Sequence, residues 1–157
     1  MAEIPPEMMA LERVADNEFE NQERLYRRVP PESFDGDEPS VAAVELPDMS
    51  VGRGKYGRPE WLLLHEDHRG WGVIYFVVRD IPPDREIIQA GIIAFTLEPR
   101  HVPLAKNYPH SEVWVFREGV HICKKDMNLH LLDPDFHLRW RERIVLASHV
   151  AIPPQSK

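Results

Sequence analysis

The sequence contains a single cysteine, Cys123, which excludes an internal disulfide framework and a multi-cysteine zinc site. No apolar run approaches the ~18 residues that a membrane-spanning helix needs. Residues 1–10 carry acidic residues and prolines where a secretory signal peptide has a basic start and an apolar centre. These absences favour a cytoplasmic protein without a membrane segment.

Basic residues are also scarce, with 19 Lys and Arg against 26 Asp and Glu and a formal net charge of -7. Proteins that bind the nucleic-acid backbone usually carry a basic excess, because they must neutralise phosphates. Nucleic acid is therefore a disfavoured partner. Another protein chain is the partner that the sequence favours, and a membrane is not expected.

The apolar residues are sufficient for a real core. A chain of 157 residues with 43% hydrophobic composition has the size of one domain, so we expect residues 1–157 to form a single domain. Residues 73–78 form an unbroken run of β-branched and aromatic side chains, which predicts a central strand buried on both faces. A second run at 92–97 follows after Pro82 and Pro83.

The N-terminal residues show a helical pattern. Met8, Leu11, Ala15 and Phe19 are spaced by three, four and four positions, which places them on one face of a helix over residues 7–21. The opposite face is acidic. This amphipathic helix packs on its own sheet, or residues 1–22 form a docking arm for another chain.

The remaining segments predict an α+β fold with a mostly antiparallel central sheet. In addition to the N-terminal amphipathic helix, the sequence predicts a short middle helix and a C-terminal helix. The short strands are expected at 23–29 and 41–46, the middle helix from Pro59 to about His68, a hairpin at 111–124, the last helix from Asp133 to about His149, and a flexible tail at 151–157.

The hairpin is the strongest local signal, because two alternating apolar segments flank Glu118 and Gly119. Trp114 and Phe116 fall on one face of it, and Val113 and Val115 fall on the other. One face meets the core and the other is available to a partner. The partner-binding residues that this interpretation selects are Met8, Leu11, Phe19, Trp114 and Phe116.

Three motifs are too incomplete to carry chemistry. His65 and His68 lie at a helix end, but zinc needs three or four ligands and no third is identifiable, so we expect no metal and no cofactor. Residues 52–58 combine glycines with basic residues without phosphate-loop spacing, which favours a mobile surface loop over an anion or RNA contact. Cys123 beside His121 indicates an ordinary buried cysteine.

A fourth group is more informative. Arg27 and Arg28 lie on an early strand, while His101 and His110 flank a proline-containing loop. Arginine beside histidine in a cleft suits an anionic substrate, with the arginine stabilising charge and the histidine acting as acid or base. The alternative is that both arginines pair with the many carboxylates of the chain.

Three blocks of sequence resemble a family of small, uncharacterised bacterial proteins. The blocks are Leu-Tyr-Arg-Arg-Val-Pro-Pro at 25–31, Met-Ser-Val at 49–51 with the following Lys55 and Tyr56, and Asn-Tyr-Pro-His-Ser-Glu-Val at 107–113. The resemblance implies no activity, but it draws attention to Arg28, Ser50 and His110. The first and last helices lie outside it.

Two hypotheses for function follow. The first is a non-catalytic protein-interaction module, an accessory or regulatory subunit of a bacterial complex. The alternative is a small toxin-type enzyme, a nuclease or transferase, which acts on an anionic substrate through His110 and Arg28, with Ser50 as a further catalytic residue. Convergence of these three side chains on one pocket would favour the enzyme.

Overall fold

The chain folds around one antiparallel sheet. A computed structural model describes residues 3–81, 86–88, 93–123 and 134–155, with side chains omitted at 86–88 and 93–94. The strands are β1 (Arg24–Val29), β2 (Phe34–Asp35), β3 (Glu38–Pro39), β4 (Met49–Arg53), β5 (Gly72–Val77), β6 (Glu86–Ile88), β7 (Ile93–His101), β8 (His110–Arg117), β9 (Val120–Ile122) and β10 (His149–Ile152), and the helix is α1 (Pro134–Ala147).

The main sheet has the order β10-β5-β1-β4-β8-β7-β6, with β9 paired to β8, and β2 and β3 form a separate ribbon. Each pairing of strands is antiparallel. Strand β5 lies between β1 and the edge strand β10, so it is internal but not central as predicted, and Tyr75 and Val77 are only partly buried. Val73, Ile74 and Phe76 are fully buried in it.

Helix α1 covers one face of the sheet. Phe136, Trp140 and Ile144 recur every four residues on one side of this helix, and all three are buried. Phe136 stacks on Phe95 of β7 with ring centroids 4.1 Å apart. The C-terminal helix is therefore confirmed, although Asp133, its predicted capping residue, lies outside the described residues.

The predicted hairpin is confirmed as β8 and β9, which pair Val115 with Ile122. Val113 and Val115 are fully buried and face the core. Trp114 and Phe116 are half-buried on the opposite face of the sheet. The same face carries the cavity described below.

The predicted N-terminal amphipathic helix is wrong. Only Pro6–Met8 forms a short 3₁₀ turn, and the chain then runs extended beside the loop at 101–110. The amide of Ala10 donates to the carbonyl of Ala105 (3.0 Å), and the amide of Tyr108 donates to the carbonyl of Met8 (2.7 Å). These tertiary bonds satisfy backbone groups that a helix would pair internally, and a short isolated helix has little stability to oppose them.

The short middle helix is also wrong as an α-helix. Two 3₁₀ turns, Pro59–Leu63 and Glu66–His68, occupy this stretch. His65 separates them, because its Nδ1 accepts the amide of Asp67 at 3.1 Å. Such local side-chain bonds compete with continued helix.

The strand predicted at 41–46 is a 3₁₀ turn, Val41–Ala43, followed by extended chain. Its carbonyls are taken by guanidinium groups instead of a sheet ladder: Arg27 Nε donates to Ala43 (2.8 Å) and Arg141 Nε donates to Val44 (2.9 Å). The segment at 52–58, predicted as a mobile surface loop, instead begins with the last two residues of strand β4. Within the described ranges, no helix has the length and apolar character to cross a membrane.

Candidate active site

A cavity of about 470 Å³ opens where strands β1 and β4 separate. These strands are in register at Leu25 with Arg53 and at Tyr26 with Gly52, and nowhere further along. Beyond that point the side chain of Arg27 spans the gap, donating from its NH1 to the carbonyl of Ser50 at 3.0 Å. The cavity is therefore a consequence of a sheet that parts between two of its central strands.

Strands β4 and β8 bring a serine and a histidine together inside this cavity. Their register pairs Ser50 with Glu112 and Gly52 with His110. Alternate residues of a strand share a face, so Ser50 and His110 are diagonal neighbours on one side of the sheet. Ser50 Oγ lies 2.8 Å from His110 Nε2.

The second nitrogen of His110 fixes the direction of that hydrogen bond. His110 Nδ1 lies 2.8 Å from the carbonyl oxygen of Val102, and a carbonyl can only accept. The proton of the neutral ring is therefore on Nδ1, which leaves Nε2 to accept the hydroxyl proton of Ser50. A serine, a histidine base and a group that orients the base form the arrangement of an activated nucleophile.

Arginines supply positive charge to the same cavity. Arg28 and Arg58 both line it and are exposed, and neither forms a hydrogen bond or an ion pair with any described residue. Partial burial lowers the pKa of Arg28, which nevertheless stays charged at neutral pH because an arginine titrates far above it. Arg27 is instead held by backbone carbonyls and lies 3.8 Å from Glu45.

Glycine leaves room for close packing at two positions near the cavity. A Cβ on Gly52 would lie 3.1 Å from Cδ1 of Leu62, so glycine lets the turn at 59–63 lie close over the sheet. A Cβ on Gly57 would lie 2.9 Å from Cγ of Pro109, beside His110. Both glycines therefore allow close packing of the segments that carry Ser50 and His110.

Aromatic side chains complete the walls of the cavity. Trp61 and Trp71 line it and are half-exposed. The His68 ring meets Trp71 edge-on, with centroids 4.7 Å apart. Burial, with the nearby charge of Arg28 as a second cause, lowers the pKa of His68 and keeps it neutral.

The structure thus brings Arg28, Ser50 and His110 to one cavity and separates His101 from them. His101 is only 4% exposed, and its two nitrogens are bound by the amide of Asp16 (2.8 Å) and the carbonyl of Tyr108 (2.6 Å). It holds the N-terminal segment to the loop that carries His110. Arg27 likewise serves the backbone rather than facing solvent as a free cation.

The basic glycine segment at 52–58 differs most from expectation. Arg53 is fully buried and forms a bidentate pair with Glu23, with nitrogen-to-oxygen distances of 2.7 and 2.6 Å. Its guanidinium also binds the carbonyls of Asp16 and Glu18 and lies 3.9 Å from the centre of the Phe19 ring. Arg53 therefore stabilises the fold, whereas Arg58, the last residue of this segment, lines the cavity.

The residues that the sequence selects for partner binding are divided by the fold. Met8 is 7% exposed and lines the cavity, and Phe19 packs against Arg53 and the core. Leu11 is 82% exposed. Trp114 and Phe116 contribute to a half-buried aromatic surface with His121, whose ring stacks on Trp114 at 4.1 Å.

The remaining motifs add no further site. The rings of His65 and His68 lie 5.7 Å apart, and the described part of the chain contains no group of three His, Cys, Asp or Glu placed to hold a metal. His121 Nε2 lies 2.8 Å from a carboxylate oxygen of Asp48, and Cys123, predicted to be buried, is only partly buried. Comparison of this chain with protein-family models, curated proteins and solved structures found no match.

Proposed function

We propose that this protein is an enzyme that binds a phosphate ester in the cavity and transfers its phosphoryl group through Ser50. The observation that carries the proposal is the hydrogen bond of 2.8 Å between Ser50 Oγ and His110 Nε2, beside an arginine that has no partner among the described residues. Ser50 is the nucleophile, His110 is the base, and Arg28 stabilises the anion. This is the enzyme alternative that the sequence suggests, with the chemistry narrowed to phosphate.

The hydrogen bond between Ser50 and His110 supports the first proton movement of this mechanism. As Ser50 Oγ bonds to phosphorus, its proton passes to His110 Nε2, and the bond between phosphorus and the leaving oxygen breaks. His110 then gives that proton to the leaving oxygen. Water, or an acceptor hydroxyl, next attacks the phosphoserine, losing a proton to His110, which returns it to Ser50.

The positive charge of the cavity supports an anionic substrate. Among the described lining residues the only carboxylate is that of Glu45, which is 63% exposed and points its charge toward Arg27. A guanidinium that no carboxylate of the described residues neutralises is available to the equatorial oxygens of a phosphoryl group. Arg28 and Arg58 are the two groups in that position.

The test is hydrolysis of p-nitrophenyl phosphate and bis(p-nitrophenyl) phosphate by the purified protein. Ser50→Ala and His110→Ala should each lower kcat/KM roughly 100-fold or more, and Arg28→Met should lower it by a similar factor. His65→Ala is the matched control, because His65 is exposed and does not line the cavity. A phosphorylated Ser50 in the intact mass of the protein would identify the intermediate, whereas full activity of Ser50→Ala would contradict the proposal.

A second candidate is the non-catalytic interaction module of a bacterial complex. It is favoured by Leu11 and Val14, two apolar side chains of the N-terminal segment that are 82% and 79% exposed. Exposed apolar groups close together on one segment suit a contact with another protein. Light scattering during size-exclusion chromatography should then show an assembly that Leu11→Asp with Val14→Asp abolishes, and a protein that is monomeric alone and in its host extract would contradict it.

A further inference from the structure

The geometry points to a nucleotide as the phosphate ester that this cavity takes, with its base on the tryptophan wall and its phosphate at the arginines. This inference rests on the proposed function and narrows its substrate class. It begins from features that phosphate chemistry alone leaves unexplained, namely two tryptophans on the walls of a polar cavity.

The two tryptophans have unused capacity for binding. Trp61 and Trp71 are half-exposed, and neither indole N–H donates to any residue in the described part of the chain. Flat aromatic surfaces bind nucleobases by stacking, and an indole N–H adds a donor for a polar edge. A sugar phosphate or an inorganic phosphate has no ring to match them.

The aromatic wall adjoins the cationic wall. Arg28 pairs with Val73 across strands β1 and β5, and Trp71 lies two residues before Val73. The His68 ring, which also lines the cavity, contacts the edge of Trp71 at a centroid distance of 4.7 Å. Phosphate and base of one nucleotide are separated by a single sugar, so both walls fall within reach of one molecule.

The size of the cavity agrees with this ligand. Its volume of about 470 Å³ lies in the range of ~300 to 1,000 Å³ that is usual for sites of small organic ligands. A bare phosphate would leave most of that space to water. The net charge of -7 disfavours a polymer of nucleotides, because the surface as a whole repels a long run of phosphates.

The experiment compares AMP, UMP, ribose 5-phosphate and adenosine by isothermal titration calorimetry. AMP and UMP should bind roughly tenfold to a hundredfold more tightly than ribose 5-phosphate, because stacking adds to the phosphate contact. Trp61→Leu should remove that difference, and Arg28→Met should weaken both nucleotides and ribose 5-phosphate. Trp114→Leu is the matched control, since Trp114 is half-buried on the same sheet face but does not line the cavity.

The possible outcomes distinguish a failure of the nucleotide inference from a failure of the proposed phosphate site. Equal affinity for AMP and ribose 5-phosphate, with both weakened by Arg28→Met, would overturn the nucleotide and leave the phosphate site intact. Absence of binding by all four compounds, together with no hydrolysis of the nitrophenyl esters, would overturn both. A single-stranded oligonucleotide that binds more tightly than AMP would overturn the restriction to one nucleotide.

Discussion

Two regions of this protein each contain an arginine and a histidine, and they use them in opposite ways. The first region is the buried cluster formed by Arg53, Glu23, His101 and the backbone of Asp16 and Glu18. In this buried cluster, Arg53 is fully buried and its guanidinium is bound by Glu23 and by two carbonyls. In the cavity, Arg28 on the neighbouring strand is exposed and has no partner among the described residues. An arginine side chain therefore stabilises the fold in the buried cluster, whereas at the cavity an arginine side chain is available to bind a ligand.

The histidines of the two regions, His101 and His110, differ in the same way as the arginines. Both nitrogens of His101 are occupied by backbone groups, and the ring is buried. His110 has one nitrogen on a carbonyl and the other on a serine hydroxyl at the cavity. Fully satisfied polar groups stabilise a fold, whereas donors and acceptors left facing a cavity are available to a ligand.

The sharpest test of this contrast is to remove each arginine in turn. Arg53→Met leaves the Glu23 carboxylate, only 6% exposed, without its partner, which typically destabilises a protein by about 3 to 5 kcal/mol. Arg28→Met removes no hydrogen bond or ion pair with a described residue and should change the free energy of unfolding by less than about 0.5 kcal/mol. Urea unfolding monitored by circular dichroism measures both.

The double variant Arg53→Met with Glu23→Gln is the control for the buried charge. Because it removes the stranded carboxylate, it should recover part of the stability that Arg53→Met loses. If Arg53→Met and Arg28→Met unfold at the same urea concentration, the two arginines do not differ in role and the contrast fails.

A second test uses the histidine of the buried cluster. Burial lowers the pKa of His101, against the opposing effect of its bond to the Tyr108 carbonyl. The unfolded chain therefore takes up the proton first, so stability is fully present above about pH 6.5 and falls as the pH drops through that value toward the lower folded pKa. Stability measured by urea unfolding between pH 7.5 and 5 should decline in the wild type and decline less in His101→Gln.

His110→Gln is the matched variant for this measurement. It should retain the wild-type pH dependence, because His101 remains in place. An unchanged decline in His101→Gln would assign the acid sensitivity to another group and contradict the role given to His101.

The smallest effect is expected at the rim of the buried cluster. Lys55 is 49% exposed and lies 3.0 Å from a carboxylate oxygen of Asp16, which also accepts the Tyr56 hydroxyl at 2.5 Å. Exposed ion pairs contribute about 0 to 1 kcal/mol, so Lys55→Ala should shift thermal unfolding only slightly. Added salt should reduce even that difference, and a loss as large as that of Arg53→Met would show that the rim and the buried centre are not distinct.

Sequence patterns predicted the elements whose residues pack on the core. The runs at 73–78 and 111–124 and the spacing of Phe136, Trp140 and Ile144 follow directly from burial on one face. The N-terminal pattern failed because Met8 is buried and Phe19 is partly buried by separate tertiary contacts, so their helical spacing is coincidental. Leu11, between them, is exposed and has a positive φ of 43°.

The site was predicted only in part, for a physical reason. Arg28, Ser50 and His110 stand out through the three sequence blocks, but their proximity depends on the register of β4 with β8, which no local pattern contains. The sequence analysis missed the Val102 carbonyl, the two tryptophans and Arg58. The direction of a carbonyl and the set of side chains that line a cavity depend on the tertiary fold, which no local pattern encodes. The glycines at 52 and 57 were a usable signal, since a glycine can mark a close approach of the backbone as well as mobility.

Two segments that border the cavity have a practical consequence for labelling the protein. Met8 lines the cavity, and the amide of Gln155 donates to the carbonyl of Gly70 at 3.0 Å, next to Trp71. A bulky label at either of these two residues would therefore lie beside the cavity that the binding experiments examine. The Glu118–Gly119 turn, where an added Cβ on Gly119 meets no atom within 4 Å, offers an attachment point away from it.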